Sequence, residues 1–344
     1  MILPWHKKPF AKLKQMIDQN HLPHALLITG SEQMGKFELM QQLVKILLCE
    51  EETCDQCVLC RAISKDNPKQ ALDDSVLIRR SHYPNMVYCR TEVNDKGVES
   101  KNIRIDQIRA FCGALNKTAD NLQIGVLFYA DQMNISAANS LLKTLEEPRE
   151  NTLIILLAHD PKNLPATILS RCQSVHIPPA YDQETEAWLA QRIGEAQHTD
   201  FDVTQLLEHT HGVPFKVLSE LSGDGFIHYQ HWQNQLLDIA AHPLMINQLE
   251  DFEGNEVAVL NCLQNLVIEG IRLKTLNHEG GLIELNKVVK GVDSDFLFKL
   301  LSDIYHALGL SKTNVNIKLL LDNILIVWSH ITHLKRYPQI INPI

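Results

Sequence analysis

The sequence predicts an α/β domain built on a parallel sheet, followed by a small helical domain and an all-helical final third. Three observations point to this. Short apolar runs of strand length alternate with helix-spaced segments through residues 1–178. Glycine and polar residues follow those runs where a parallel sheet presents its ligand-binding edge. Beyond Pro178-Pro179 the strand signal fades, and apolar residues recur at the three-and-four spacing of helices with one buried face.

The elements read in order as follows. Ala25 to Thr29 is a short apolar run ending at Gly30, a buried strand, and Lys36 to Leu48 follows with helical spacing. Met86 to Cys89 is a second strand. Ile105, Ile108, Cys112 and Leu115 line one helix face. Val126 to Ala130 is a third strand, and Ser136 caps a helix that runs to Glu147 and stops at Pro148. Leu153 to Ala158 is a fourth strand and Val175 to Ile177 a fifth. Thr185 to Ile193 and Val203 to His209 are short helices before Gly212-Val213-Pro214. In the last third, Leu260, Leu263, Val267 and Ile271 form one stripe. Leu297, Leu301, Ile304 and Leu308 form another, and Ile317, Leu321, Ile324 and Trp328 a third. These faces close a self-contained bundle or pack against other subunits; periodicity alone does not separate the two. The predicted domains are residues 1–178, 179–222 and 223–344.

Bulk properties narrow the function. A chain of 344 residues is too long for one ordinary core. With 45% hydrophobic and 21% charged residues it has globular composition. Its longest apolar runs, such as Ile154 to Ala158, fall far short of a membrane span, so no membrane role is expected. The start MILPWHKKPF has no apolar signal region, and a cytoplasmic location follows as the expectation. The net charge of −9 disfavours autonomous nucleic-acid binding, which needs clustered Lys and Arg. Sixteen histidines show no ligand spacing, and no Ser/His/Asp or Cys/His nucleophile pattern emerges.

Residues Gly30 to Phe37 read GSEQMGKF, close to the phosphate loop G-x-x-x-x-G-K-[ST]. In that loop, backbone N–H groups surround phosphate, the lysine reaches the terminal phosphates, and the last hydroxyl ligates Mg²⁺. Phe37 offers the metal nothing. The acidic half of such a site belongs after a later strand, where residues 126–132 read VLFYADQ. Asp131 suits Mg²⁺ organisation, but Gln132 stands where a carboxylate would polarise the attacking water. Gly30, Gly35, Lys36 and Asp131 thus mark a vestigial nucleotide site, and hydrolysis is expected to be lost.

Cys49, Cys54, Cys57 and Cys60 form C-x4-C-x2-C-x2-C, a spacing that lets four thiolates surround one tetrahedral ion. Zn²⁺ suits that donor set best, and a closed tetrathiolate site is structural because it leaves no place for water. Cys89, Cys112, Cys172 and Cys262 are scattered in apolar surroundings and are expected to be reduced. The stretch Arg61 to Ser81 is expected to be a surface loop.

Further motifs carry a resemblance. Residues 136–148 read SAANSLLKTLEEP, residues 168–172 read ILSRC, and HALLITG precedes the phosphate loop. Together they resemble the clamp-loader subunits of bacterial DNA polymerase III, whose fold is of the AAA+ kind. Residues 314–325, NVNIKLLLDNIL, are similar to the family's last helix. The resemblance implies an AAA+-like P-loop core, a helical lid and a helical collar that oligomerises. It also implies a tetracysteine zinc module after the phosphate-loop helix. Two kinds of subunit carry these motifs: the ATPases gamma and tau, with intact sites, and a stator whose site is degraded. Phe37 and Gln132 place this chain with the stator kind, with Pro4-Trp5 in agreement. The retained Gly35-Lys36 departs from many such relatives and leaves nucleotide binding open.

By that resemblance Arg171 of the Ser170-Arg171-Cys172 element is an arginine finger acting in trans on a neighbour's ATP, where a guanidinium stabilises charge on the γ-phosphate. A surface arginine in a local ion pair is the plainer alternative. The lid arginine expected after Gly212 is absent, with Lys216 an imperfect replacement. His159 falls near the family's phosphate-sensing position. The implied partners are gamma/tau and the delta subunit, with the sliding clamp and primed DNA reached through the assembly. Two rivals stand beside this function. One is an ATPase in its own right, supported by Gly30, Gly35, Lys36 and Asp131; the other is a zinc-dependent nucleic-acid-binding module, supported by the cysteines and opposed by the charge.

Overall fold

Trp5 lies in a short 3-10 turn, Pro4–His6, that leads straight into helix α1, Lys7–Asp18. The computed structural model describes residues 2–49, 55–66, 78–91, 100, 102–116, 121–195, 203–222, 225–248, 252, 254–276, 283–311 and 315–333. Helix α1 is not legible in the apolar pattern of the sequence. Its lysines, Lys7, Lys8, Lys12 and Lys14, mask a face whose buried residues are Pro9, Phe10 and Leu13.

Strand β1, Ala25–Thr29, is buried at every position and is followed by α2, Lys36–Leu48, both with the predicted bounds. A short helix α3, Val58–Ser64, runs into the stretch expected to be a loop, Arg61 to Ser81, and a two-residue strand β2, Arg79–Arg80, lies within it. Residues 67–77 of that stretch fall outside the described residues. Next come β3, Met86–Cys89, α4, Ile105–Leu115, and β4, Gln123–Leu127.

Strand β4 starts and stops three residues earlier than expected. It ends at Leu127 because Tyr129 adopts a left-handed backbone (φ 52°), which turns the chain into the 3-10 segment Ala130–Gln132. Helix α5, Ile135–Glu146, is capped by Asn134 and not by Ser136. Asn134 is extended, and its side-chain oxygen accepts from the Ala137 N–H at 2.8 Å, the third amide of the helix.

After α5 come β5, Thr152–Ala158, the single turn α6, Ala166–Leu169, and β6, Gln173–His176. The helices α7, Gln183–Glu195, α8, Val203–His209, and α9, Pro214–Leu221, complete this part.

The six strands form one sheet in the order β2-β3-β4-β5-β1-β6. Five run parallel, and β2 pairs antiparallel with β3 at the edge. Alternation along the central strands sends side chains to two cores. Leu26, Ile28, Ile155 and Leu157 join Leu39, Met40 and Leu43 of α2 on one face. Leu27, Ile154 and Leu156 join Phe111 of α4 and Leu141 and Leu145 of α5 on the other. Burial on both faces is why these strands read as continuous apolar runs. Gly125 in β4 is needed for this packing, since a Cβ there would stand 2.6 Å from Phe111 Cζ.

The chain divides into two compact units, Met1–Val217 and Leu218–Ile344. The second is helical among its described residues: α10, Gly225–Ala241, α11, Glu256–Leu276, α12, Ile283–Val289, α13, Ser294–Leu310, and α14, Ile317–Ser329. The three apolar stripes fall on α11, α13 and α14, and Leu260, Leu263, Val267, Leu297, Ile304, Leu321, Ile324 and Trp328 are buried. Trp328 is tied inward, its indole N–H donating to the Leu236 carbonyl at 2.7 Å. No helix among the described residues is long and apolar enough to cross a membrane.

Candidate functional site

The parallel sheet brings three chain segments together at its carboxyl edge: the loop after β1, the turn after β4 and the residues after β5. Gly30, Gly35 and Lys36 come from the first, Asp131 from the second and His159 from the third. Lys36 is buried and folded back on its own loop, donating to the Gly30 and Ser31 carbonyls at 2.7 Å each and to His159 Nδ1 at 3.2 Å. Burial pushes its pKa down to about 8, against the attraction of Asp131. Burial, then the charge of Lys36, also lowers the His159 pKa, which suits a neutral ring accepting at Nδ1. The His159 ring stacks on Tyr129 with centroids 5.3 Å apart.

Asp131 Oδ2 accepts from the backbone N–H groups of His159 and Asp160 at 3.2 and 3.1 Å, so that oxygen caps the end of β5. Oδ1 is buried without a hydrogen-bond partner among the described residues. Gln132 sits at the end of the 3-10 turn, where its backbone carbonyl accepts from the Ile103 N–H at 3.0 Å.

Two aromatic groups change what this edge can hold. Phe37, in the place of the magnesium hydroxyl, is buried with its ring 5.6 Å from Phe128 and 6.2 Å from Tyr88. The second group caps the loop. Gly35 has φ 77°, and a Cβ built there would meet His6 Cε1 at 2.9 Å and Phe215 Cε2 at 3.0 Å. The Met34 carbonyl beside it accepts from Trp5 Nε1 at 3.0 Å and from His6 Nε2 at 2.8 Å. Trp5, Trp188 and Phe215 meet edge to face, with centroids 5.0 to 6.0 Å apart. Burial holds the His6 pKa near 4, so the cap is neutral at physiological pH and offers phosphate no charge.

These residues do not fit a hydrolytic Mg–ATP site. The space beside the Gly35 Cα is filled by rings, the metal hydroxyl is replaced by a packed phenyl ring, and position 132 carries an amide. The residue of α9 that reaches the loop is Phe215. The sequence held one trace of the cap, the Trp5-His6 pair ahead of a basic helix. Trp188 and Phe215 gave no local signal, because chain folding alone brings them to Trp5.

Arg171 lies just after α6 and is partly exposed. Its Nη1 donates to the Thr167 carbonyl at 2.9 Å, and its Nη2 pairs with Glu146 Oε1 at 2.5 Å. Arg171 thus makes the local ion pair expected of its plainer alternative, and its partner, Glu146, lies within the LEEP motif, where no local pattern marked it for that contact.

The cysteine module follows α2. The sulfur atoms of Cys49, Cys57 and Cys60 all lie within 4.8 Å of one another, while Cys54 falls outside the described residues. Cys57 caps α3, its sulfur accepting from the Cys60 N–H at 3.3 Å. Burial first, and hydrogen bonds from the neighbouring thiols second, push the Cys60 thiol up to about 12. Lys45 of α2 pairs with Asp55 at 2.6 Å and ties the module to the helix. Three thiols converging at that distance fit a thiolate-bound metal. The isolated Cys89, Cys112 and Cys262 are buried thiols outside any disulfide, and Cys172 is partly exposed.

Asp66, beyond α3, is a buried hub. It accepts from Ser81 Oγ at 2.5 Å, Tyr88 Oη at 2.5 Å, the His82 backbone N–H at 3.0 Å and His82 Nδ1 at 2.8 Å. It thereby fixes the cysteine module against β3.

Comparison with known proteins adds to this geometry. The family model described as "DNA polymerase III, delta subunit" matches residues 5–181. The DNA polymerase III subunit delta' of Pseudomonas aeruginosa is 28% identical over 351 residues, covering 95% of this chain and 97% of that protein. The subunit delta' of Escherichia coli is 28% identical over 229 residues, covering 65% of this chain and 63% of that one. The DNA polymerase III subunit tau of Bacillus subtilis is 27% identical over 166 residues, covering 47% of this chain and 26% of that one.

Proposed function

The chain belongs to the DNA polymerase III delta-subunit family as a clamp-loader subunit of the delta-prime kind, and we propose that it works there as a stator that hydrolyses no ATP itself. The observation that carries this is the capped phosphate loop. Rings of His6 and Phe215 cover Gly35, and Phe37 is packed between Tyr88 and Phe128. In this reading the chain forms a ring with gamma/tau ATPase subunits and the delta subunit. Through that assembly it supports loading of the sliding clamp onto primed DNA. Arg171 is the group it lends to a neighbour's ATP, where an arginine offsets charge developing on the transferred phosphoryl. The domains act as an AAA+-like core, residues 1–178, a lid, 179–222, and an oligomerising collar, 223–344.

Zinc is the proposed structural ion of the cysteine module, held by Cys49, Cys57 and Cys60 with Cys54 as fourth ligand. It would supply a rigid cross-link between the end of α2 and α3, with no open position for catalysis.

The test is Mg–ATP hydrolysis and nucleotide binding by the purified chain, beside the Phe37→Thr, Gln132→Glu double variant. The wild type is expected to show neither. The double variant is expected to stay silent too, because both substitutions leave the His6–Phe215 cap in place. Turnover by the wild type would overturn the stator reading in favour of an ATPase. The formed loop, with Lys36 at its centre, is the feature that rival rests on.

A further inference from the structure

We propose that Glu146 is a positioning residue for Arg171, holding the guanidinium in the orientation from which it reaches a neighbour's nucleotide. The inference rests on the finger role proposed for Arg171. Glu146 is the last residue of α5, and Arg171 follows α6. The two turns are fixed beneath them by one core: Leu141 and Leu145 of α5 and Ile168 of α6 are buried in the same cluster, with Leu164. The Glu146 and Arg171 side chains leave this fixed base and meet above it at 2.5 Å.

The pair is not placed for stability. The side chains are 47% and 34% exposed, and ion pairs so open to water contribute little to folding. They do, however, hold a geometry. Arg171 Nη1 contacts the Thr167 carbonyl at 2.9 Å and Ser170 Oγ at 3.3 Å, and Nη2 contacts Glu146, so the guanidinium is held from two sides. A guanidinium carries more N–H donors than these contacts use, and the remainder stay available to a phosphate. An unrestrained arginine would lose its rotamer freedom on entering the neighbouring site; one held in advance has already lost it. The carboxylate therefore acts through the arginine and touches no substrate.

The experiment uses the reconstituted clamp loader, with its other ATPase sites disabled by substituting their phosphate-loop lysines. Clamp- and primer-stimulated ATP turnover then reports the site facing this chain. Glu146→Gln is expected to lower kcat roughly three- to tenfold with KM for ATP unchanged, the range that restored rotamer freedom allows. Glu146→Asp should recover part of that loss. In an Arg171→Ala background, Glu146→Gln should add nothing. A normal kcat for Glu146→Gln beside a depressed one for Arg171→Ala overturns the positioning role and leaves the finger intact. So does a raised kcat, which would make the pair a restraint. An equal loss in the Arg171→Ala background shows that Glu146 acts elsewhere. Unchanged turnover for Arg171→Ala removes the finger reading, and this inference with it.

Discussion

Replacing Asp66 by alanine removes one acceptor site that four donors share, and the size of the effect follows from those donors. Ser81 and Tyr88 hydroxyls lie on one oxygen, and the backbone and ring nitrogens of His82 lie on the other. The Asp66 side chain is 3% exposed, so water replaces little of this network. Hydrogen bonds to a charged group each contribute about 1.5–3 kcal/mol, but deleting the acceptor also removes the cost of burying its charge. A net loss of about 3 kcal/mol follows. A unit of this size, Met1–Val217, shifts its midpoint by about 2–4 °C per kcal/mol, so the first thermal transition should fall by roughly 6–12 °C. Asp66→Asn should cost about 1 kcal/mol, because one oxygen survives and the two hydroxyls can turn to accept from the new amide. The assay is thermal denaturation of the full chain followed by far-UV circular dichroism. A drop under about 2 °C for Asp66→Ala would refute the idea that this hub anchors the cysteine module to the sheet.

Other substitutions probe the packing, the cap and the metal. Gly125→Ala should lower stability by about 1–3 kcal/mol in urea titration, since its Cβ would meet Phe111 and Leu115 at 2.6 and 2.7 Å; Gly113→Ala on α4, with open space, should be neutral or stabilising. The His6 pKa is near 4 when folded and about 6.5 when unfolded, so between those values the unfolded chain binds more protons. Stability from this residue is therefore lost as pH falls from about 6.5 toward 4, on the order of 3 kcal/mol in all. His6→Gln should flatten that dependence, and urea midpoints at both ends of the window check it; parallel profiles for wild type and variant would show that His6 is not its source. The purified chain should yield about one zinc per chain to a chelator that displaces the thiolate ligands, and Cys60→Ser should carry markedly less; wild-type metal content in Cys60→Ser would remove Cys60 from the ligand set.

Much of the sheet was legible because its strands are buried on both faces. Apolar runs such as Ala25–Thr29 and Met86–Cys89 carry that burial in their composition, and their bounds come out as read. The helix of the phosphate loop was legible from periodicity, and the defects at Phe37 and Gln132 from motif spacing. Errors fell where a backbone choice decides. The end of β4 depends on the left-handed Tyr129, and the α5 cap depends on which of two polar residues is extended. The strand β2, of two residues, and the lysine-rich α1 give patterns too short or too masked to read.

The sequence by itself determined the alternation of strands and helices, the damaged phosphate loop, the cysteine spacing and Arg171. Each is a local pattern: a run, a period or a motif whose members lie within a few turns of chain. Only the tertiary structure decided that Trp5, His6, Trp188 and Phe215 close over Gly35, that Asp66 gathers Ser81, His82 and Tyr88, and that Glu146 holds Arg171. The reason is physical. Those contacts join residues far apart in the chain, and packing of the sheet and its helices brings them together, which no periodicity along the chain encodes.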